Sequence, residues 1–326
     1  MKAEFAVIAF NCPHEETKKH GRDRNGNQRF RCKTCGTTFI EERAKPIGDM
    51  RIDIDRAVMA INLLLEGMSI RATERITGLH RDTIDDLILV VGENCERFHH
   101  DAVVGVPVND VQIDELWSFV GCKAKTADRK GYKDERGDSW TYIAIERDTK
   151  LILAHHVGNR NTMATDRFLK KVRRAVDDTQ RYQVTTDGFA AYQYGVPFAL
   201  GSNIDFGQLI KQYAAQQEET RYSPATIILS EKVPQFGNPD HNRICTSHVE
   251  RANLTVRMQL RRFTRLTNAH SKSLAHHVAM QAIFFAWYNF CRKHETLKTT
   301  PAVASGCAVA PWNLRELLDS AANSDL

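Results

Sequence analysis

Cys245 to Phe263 reads CTSHVERANLTVRMQLRRF, and its single carboxylate, Glu250, stands among arginines. Ser247 followed three residues later by Glu250 is capping-box spacing, which predicts a helix starting near His248. Val249, Leu254, Val256 and Leu260 make a loose apolar stripe, and Arg251, Arg257, Arg261 and Arg262 take the remaining positions. Arg257 comes two helical turns after Glu250, so acid and base share a face. A polyanion backbone suits that surface and a metal ion suits the carboxylate, although a plain cap on a solvated cationic helix reads the same way. Two further acids bear on the choice. Asp114 falls opposite the apolar parity set Val111, Ile113, Trp117 and Phe119 of a strand, where an unpaired aspartate is costly to bury. Asp187 closes a short strand in an Asp-Gly pair, which alone marks only a turn. The three acids are 73 and 63 residues apart. Hard oxygen donors of this kind hold Mg2+ or Mn2+. Two such ions about 4 Å apart activate a water or sugar hydroxyl and stabilise the leaving oxygen of an in-line phosphoryl transfer. Arg257 suits a phosphate clamp beside them.

A second set of ligands lies near the start of the chain. Cys32 and Cys35 form a Cys-x-x-Cys knuckle followed by Gly36, and Cys12-Pro13-His14 precedes it, with His20 between. Tetrahedral zinc takes four such ligands, and a segment this short has no apolar core to fold around otherwise. A regular ribbon carries a second cysteine where Glu15 stands, so the fourth ligand is His14, His20 or Glu15, or the site is degenerate; a histidine is expected because imidazole is the commoner zinc ligand. The alternative is a metal-free arm. Arg22, Arg24, Arg29, Arg31 and Lys33 make residues 1–45 basic in either case, which suits phosphate contact.

The elements that must position these groups follow from periodicity. Residues 50–95 read as three helices. Ile54, Val58, Ile61 and Leu65 mark the first; Ser69 to Gly78 brackets the second; Ile84, Leu87, Ile88 and Val91 mark the third, expected to end near residue 92. Helix, glycine-containing turn, helix is a helix-turn-helix plan, with Arg81 and Thr83 as base-reading candidates. Asp82, Asp85 and Asp86 repel phosphates and weigh against it. In 108–300, strands are expected at 111–120, 140–146 and 151–157, a helix at 163–176, and a strand at 183–186. Residues 122–139 read as a hairpin turn, 206–213 and 226–233 as further strands, and 273–292 as a long helix. That order is the order of a ribonuclease-H-like α/β core. A tail, 301–326, carries one short helix.

Composition sets the frame. The chain has 326 residues, 42% hydrophobic and 26% charged, with a net charge of +5. That is ordinary soluble composition, basic enough to permit a nucleic-acid partner. No apolar run reaches the roughly 18 residues of a membrane span. Eight scattered cysteines read as reduced thiols, so the expected compartment is the cytoplasm.

Several stretches resemble the DDE transposases of the bacterial insertion-sequence-one family. They are Ile113-Asp-Glu-Leu-Trp-Ser-Phe119, Thr186-Asp-Gly-Phe-Ala-Ala-Tyr192, His248-Val-Glu-Arg-Ala-Asn-Leu-Thr-Val-Arg257, Arg261-Arg-Phe-Thr-Arg-Leu-Thr267 and Tyr288-Asn-Phe-Cys-Arg-Lys-His294. The resemblance covers residues 12 to about 301 and implies a zinc-finger-like element, a helix-turn-helix and a catalytic core in that order. It implies catalytic roles for Asp114, Asp187, Glu250 and Arg257, and Mg2+ or Mn2+ on the three acids. The one departure is Glu15 in the finger. The expected activity is binding of an element's terminal inverted repeats, followed by metal-dependent strand cleavage and transfer into target DNA. Arg81, Thr83, Arg251, Arg261, Arg262 and Arg265 are the expected DNA contacts, with a homo-oligomer on DNA around a bacterial nucleoid. The competing readings are a non-catalytic DNA-binding regulator and a host nuclease with the same core.

Overall fold

The computed structural model describes residues 12, 14–22, 28–40, 45–132, 135–213, 227–264 and 267–323. The chain divides into two units, Met1–Ala44 and Lys45–Leu326. In the first, β1 (Thr17–Arg22), β2 (Gln28–Cys32) and β3 (Thr38–Ile40) form an antiparallel sheet in that order. Phe30 and Phe39 are cross-strand partners with ring centroids 6.3 Å apart. That pair and the buried Cys32 are too small a core to hold a sheet without another tie.

The second unit begins with α1 (Ile54–Leu65), α2 (Ile70–Thr77) and α3 (Arg81–Ala102). The Asp53 carboxylate accepts from Arg56 N at 3.0 Å and Ser69 Oγ from Ala72 N at 3.2 Å, so both helices start on their side-chain caps. Gly78, at φ 68°, ends α2 in the left-handed region, as its position predicts. Helix α3 runs ten residues past its expected end, because Cys95, Phe98 and His99 continue its buried face.

There follow β4 (Asp110–Val120), α4 (Ala124–Lys130), β5 (Gly137–Glu146), β6 (Ile152–Gly158), α5 (Thr162–Ala175) and β7 (Tyr182–Asp187). Next come α6 (Ala190–Leu200), β8 (Ile204–Tyr213), β9 (Ile227–Phe236), α7 (Ser247–Gln259), α8 (Leu274–Phe290), α9 (Pro301–Ala304) and α10 (Leu314–Ala322). Helix α4 lies inside the stretch read as a hairpin turn, where Ala127 is its one buried residue. Helix α6 was hidden by Gly195 and Pro197, both poor helix formers.

The sheet order is β6-β5-β4-β7-β8-β9. Strands β4, β7 and β8 run parallel; β5, β6 and β9 pair antiparallel with their neighbours. Thr141 of β5 donates to Gln281 of α8, while its neighbour Tyr142 packs on Phe168 of α5. Successive strand residues face opposite ways, so α8 and α5 cover opposite faces of the sheet. Buried polar groups on α8 are matched to the sheet. His277 sits between Ser118 Oγ at 3.0 Å and Ser271 Oγ at 2.8 Å. Asn289 exchanges two hydrogen bonds of 2.9 Å with the backbone of Ile152. On its other side α8 packs against α3, where Gly92 is required: a Cβ there would lie 2.4 Å from Ala279 Cβ. Helices α1 to α3 therefore share one hydrophobic core with the sheet.

Candidate active site and metal centre

Strand β4 carries the first acid. Its parallel register with β7 pairs Ile113 with Thr186, which sets the next residues, Asp114 and Asp187, side by side. Helix α7 is locked to the same strand from the other end. Gln112 Oε1 accepts from the backbone N–H of His248 at 2.9 Å and of Val249 at 3.3 Å, capping the helix across the fold. Asn253 Nδ2 donates to Asp114 Oδ2 at 2.8 Å one turn further on. The local capping box expected at Ser247 and Glu250 does not form. Thr246 occupies the cap position, and its hydroxyl donates to Glu250 Oε1 at 2.7 Å. A strand glutamine reaches the helix amides first, which frees the Glu250 side chain for other partners.

Asp114, Glu115 and Asp187 bring carboxylate oxygens within 4.8 Å of one another. Glu250 lines the same cleft, of about 680 Å3, but stands outside that close group, where the Lys211 ammonium donates to Oε1. Arg257 lines the cleft as well. Burial, then the charges of Asp187, Glu115 and Glu250, push Asp114 up to about 8. Burial and Asp187 push Glu115 to about 7. Asp187 is raised too, first by burial, although the Phe189 N–H and Arg160 oppose the shift.

Arg160 answers part of this charge. Its Nε donates to Glu115 Oε2 at 3.0 Å and an Nη to Asp187 Oδ2 at 3.3 Å, with the guanidinium 4.0 Å over the Phe189 ring centroid. Glu115 Oε1 is buried, with the Tyr192 hydroxyl beside the carboxylate. Four carboxylates in one cleft, three of them with oxygens within 4.8 Å of one another, are the donor chemistry of a hard divalent cation. Glu115, Arg160, Lys211 and Asn253 were not singled out from the sequence. Only Glu115 left a signal, as an ionisable residue on the apolar parity of β4.

The expected DNA contacts scatter. Arg251 and Arg261 are exposed. Arg262 turns inward, donating to the His276 carbonyl, and burial holds it down at about 10 against the pull of Asp85. Arg81 is exposed and paired with Asp82 at 3.3 Å; Thr83 is half-buried. Arg265 lies outside the described residues.

In the first unit, Cys12, His14, Cys32 and Cys35 place their ligand atoms within 4.8 Å of one another. Cys12 Sγ and Cys32 Sγ are 3.7 Å apart, and Cys35 Sγ lies 3.4 Å from His14 Nδ1. With zinc–sulfur bonds of about 2.3 Å and zinc–nitrogen bonds of about 2.0 Å, a tetrahedron has edges of about 3.8 and 3.5 Å. The four residues fit zinc. The Cys35 N–H, then the His14 side chain, hold the Cys32 thiol down at about 6, which favours the thiolate a metal needs. His20 is on β1, exposed, and stands outside the group.

No family model matches the chain, and no curated protein matches it. Among solved structures it is similar to a piggyBac transposase synaptic complex with hairpin DNA, at TM-score 0.37 and 10% identity. The match covers 86% of this chain and 72% of that one. At that level of likeness the site is read from its own geometry. Among the described residues, no helix is long and apolar enough to cross a membrane.

Proposed function

We propose that the chain is a DNA transposase of the DDE type, which binds an element's terminal inverted repeats and cleaves and rejoins DNA strands. The observation that carries this reading is the cleft in which Asp114, Asp187 and Glu250, from two strands and a helix, stand around one excess of negative charge. The strand order and directions support a ribonuclease-H-like core, and the short α2–turn–α3 segment supports a helix-turn-helix over 50–95.

Asp114, Asp187 and Glu250, with Glu115 adjoining, would hold two Mg2+ or Mn2+ ions. When bound, such ions activate a hydroxyl or water and stabilise the leaving oxygen of phosphoryl transfer. Asn253 fixes the Asp114 carboxylate, and Gln112 fixes the helix that carries Glu250. Arg160, Lys211 and Arg257 offer cationic groups along the cleft for the phosphates of the bound strands. The Cys12, His14, Cys32 and Cys35 group would hold a structural zinc, giving residues 1–45 a basic DNA-contacting fold.

The test is a cleavage and strand-transfer assay on labelled element ends with Mg2+. Asp114→Asn, Asp187→Asn and Glu250→Gln are each expected to reduce product to background while end binding stays nearly intact. Full activity in any one of them removes that residue from the proposed site, and full activity in all three removes the reading.

A further inference from the structure

A second groove, of about 460 Å3, lies away from the acidic cleft. The end of α1 and the start of α2 line one part of it; Leu260 to Arg262 and Asn268 to His276 line another. Its floor is apolar, with Leu64, Met68, Ile70 and Leu260. Its rim is cationic. Arg71 on α2, Arg261 and Lys272 are all exposed there. The Arg71 and Arg261 side chains make no ion pair or hydrogen bond among the described residues, and Lys272 meets only His270. The carboxylate in the lining, Asp85, faces the Arg262 guanidinium. Helix α8 opens into the same groove at Ser273, a cap residue without a side-chain capping bond, so the positive end of its dipole adds to the rim.

The first turn of α3 offers a contrast. Arg81 is spent on Asp82, and Asp82 and Asp86 are exposed beside it. Phosphates are repelled there and attracted to the groove.

We infer that this groove seats a nucleic-acid backbone, with phosphates on Arg71, Arg261, Lys272 and the first amides of α8, and sugar edges against the apolar floor. The inference rests on the reading of the chain as a DNA-handling protein, but on none of the acidic residues. It makes Arg71 on α2 a joint phosphate track with Arg261 and Lys272.

The test uses the full chain carrying Asp114→Asn, so that bound DNA stays uncut, with a fluorescent duplex and the corresponding single strand as probes. Affinity is measured across a salt series. Each lost phosphate contact lowers the slope of log affinity against log salt by about 0.9 on a duplex and about 0.7 on a single strand. Arg71→Ala, Arg261→Ala and Lys272→Ala together are expected to lower the duplex slope by about 2.7, or the single-strand slope by about 2.1. The probe that shows the loss identifies the form of strand seated. Arg71→Lys with Arg261→Lys should keep the slope, and Lys170→Ala on α5 should leave it unchanged. An unchanged slope in the triple variant, in a chain whose Asp114 form still binds and cleaves DNA, overturns the groove alone. A chain that binds neither probe overturns the groove and the proposed function together.

Discussion

Gln112 offers the sharpest test of how the site is assembled. Gln112→Leu keeps the side chain's bulk and removes the oxygen that caps α7. Two backbone donors lose their acceptor, and each buried orphan costs about 1–3 kcal/mol. Val249 is wholly buried and no water can replace the bond, whereas His248 is half-buried and recovers part of its loss. The 3.3 Å bond to Val249 is also the weaker of the two. The leucine removes Gln112 Nε2 as well, a buried donor without a partner among the described residues, which returns about 1 kcal/mol. The net expected loss is about 1–3 kcal/mol, read by urea unfolding of the full chain. Ser247→Ala is the companion variant. A true N-cap serine is worth about 0.5–2 kcal/mol, yet here the change is expected to be within about 0.5 kcal/mol. Wild-type stability in Gln112→Leu, or a larger loss in Ser247→Ala than in Gln112→Leu, would refute the cross-strand cap.

Three other outcomes are expected. Elemental analysis should find one zinc per chain, retained in His20→Ala and lost in His14→Ala or Cys35→Ser, with chelation melting the circular-dichroism signal of residues 1–44. Gly92→Val should lower stability by at least about 3 kcal/mol, because the neighbouring Ala279 atoms include backbone that cannot rotate away; an unfolding midpoint equal to wild type refutes the close approach. Burial, then Arg262, hold His277 down at about 3, and burial holds His99 at about 4. Both folded values lie below the unfolded value of about 6.5, so the unfolded chain takes up the protons. Stability is then complete above about pH 6.5 and falls toward pH 4 by about 1.4 kcal/mol per unit for each histidine. His277→Gln should flatten that fall, and an equally steep profile in the variant counts against the assignment.

The strands around the cleft were readable from short β-branched and alternating stretches with turns on either side, and Asp114 stood out as the wrong residue for its place. The start of α2, governed by its own Ser69 side chain, was also legible. Helix α7 shows the limit. Its local signal, Ser247 with Glu250, was real in spacing, yet Gln112, 135 residues before Ser247, made the bond instead. Arg160 and Lys211 are invisible for the same reason: a cation's importance here depends on which carboxylate the sheet brings beside it. The choice of His14 over His20 likewise turns on where a β-strand points, which ligand spacing does not record.

Helix α8 is clasped by α3 along one side and bonded into the sheet along the other. Such a beam allows little swivel between the helical end of the unit and the acidic cleft. On the proposed reading, the protein then works as a caliper. The number of base pairs separating the sequence gripped from the bond broken is set by the span of one shared core, and substrates spaced otherwise have to bend to fit.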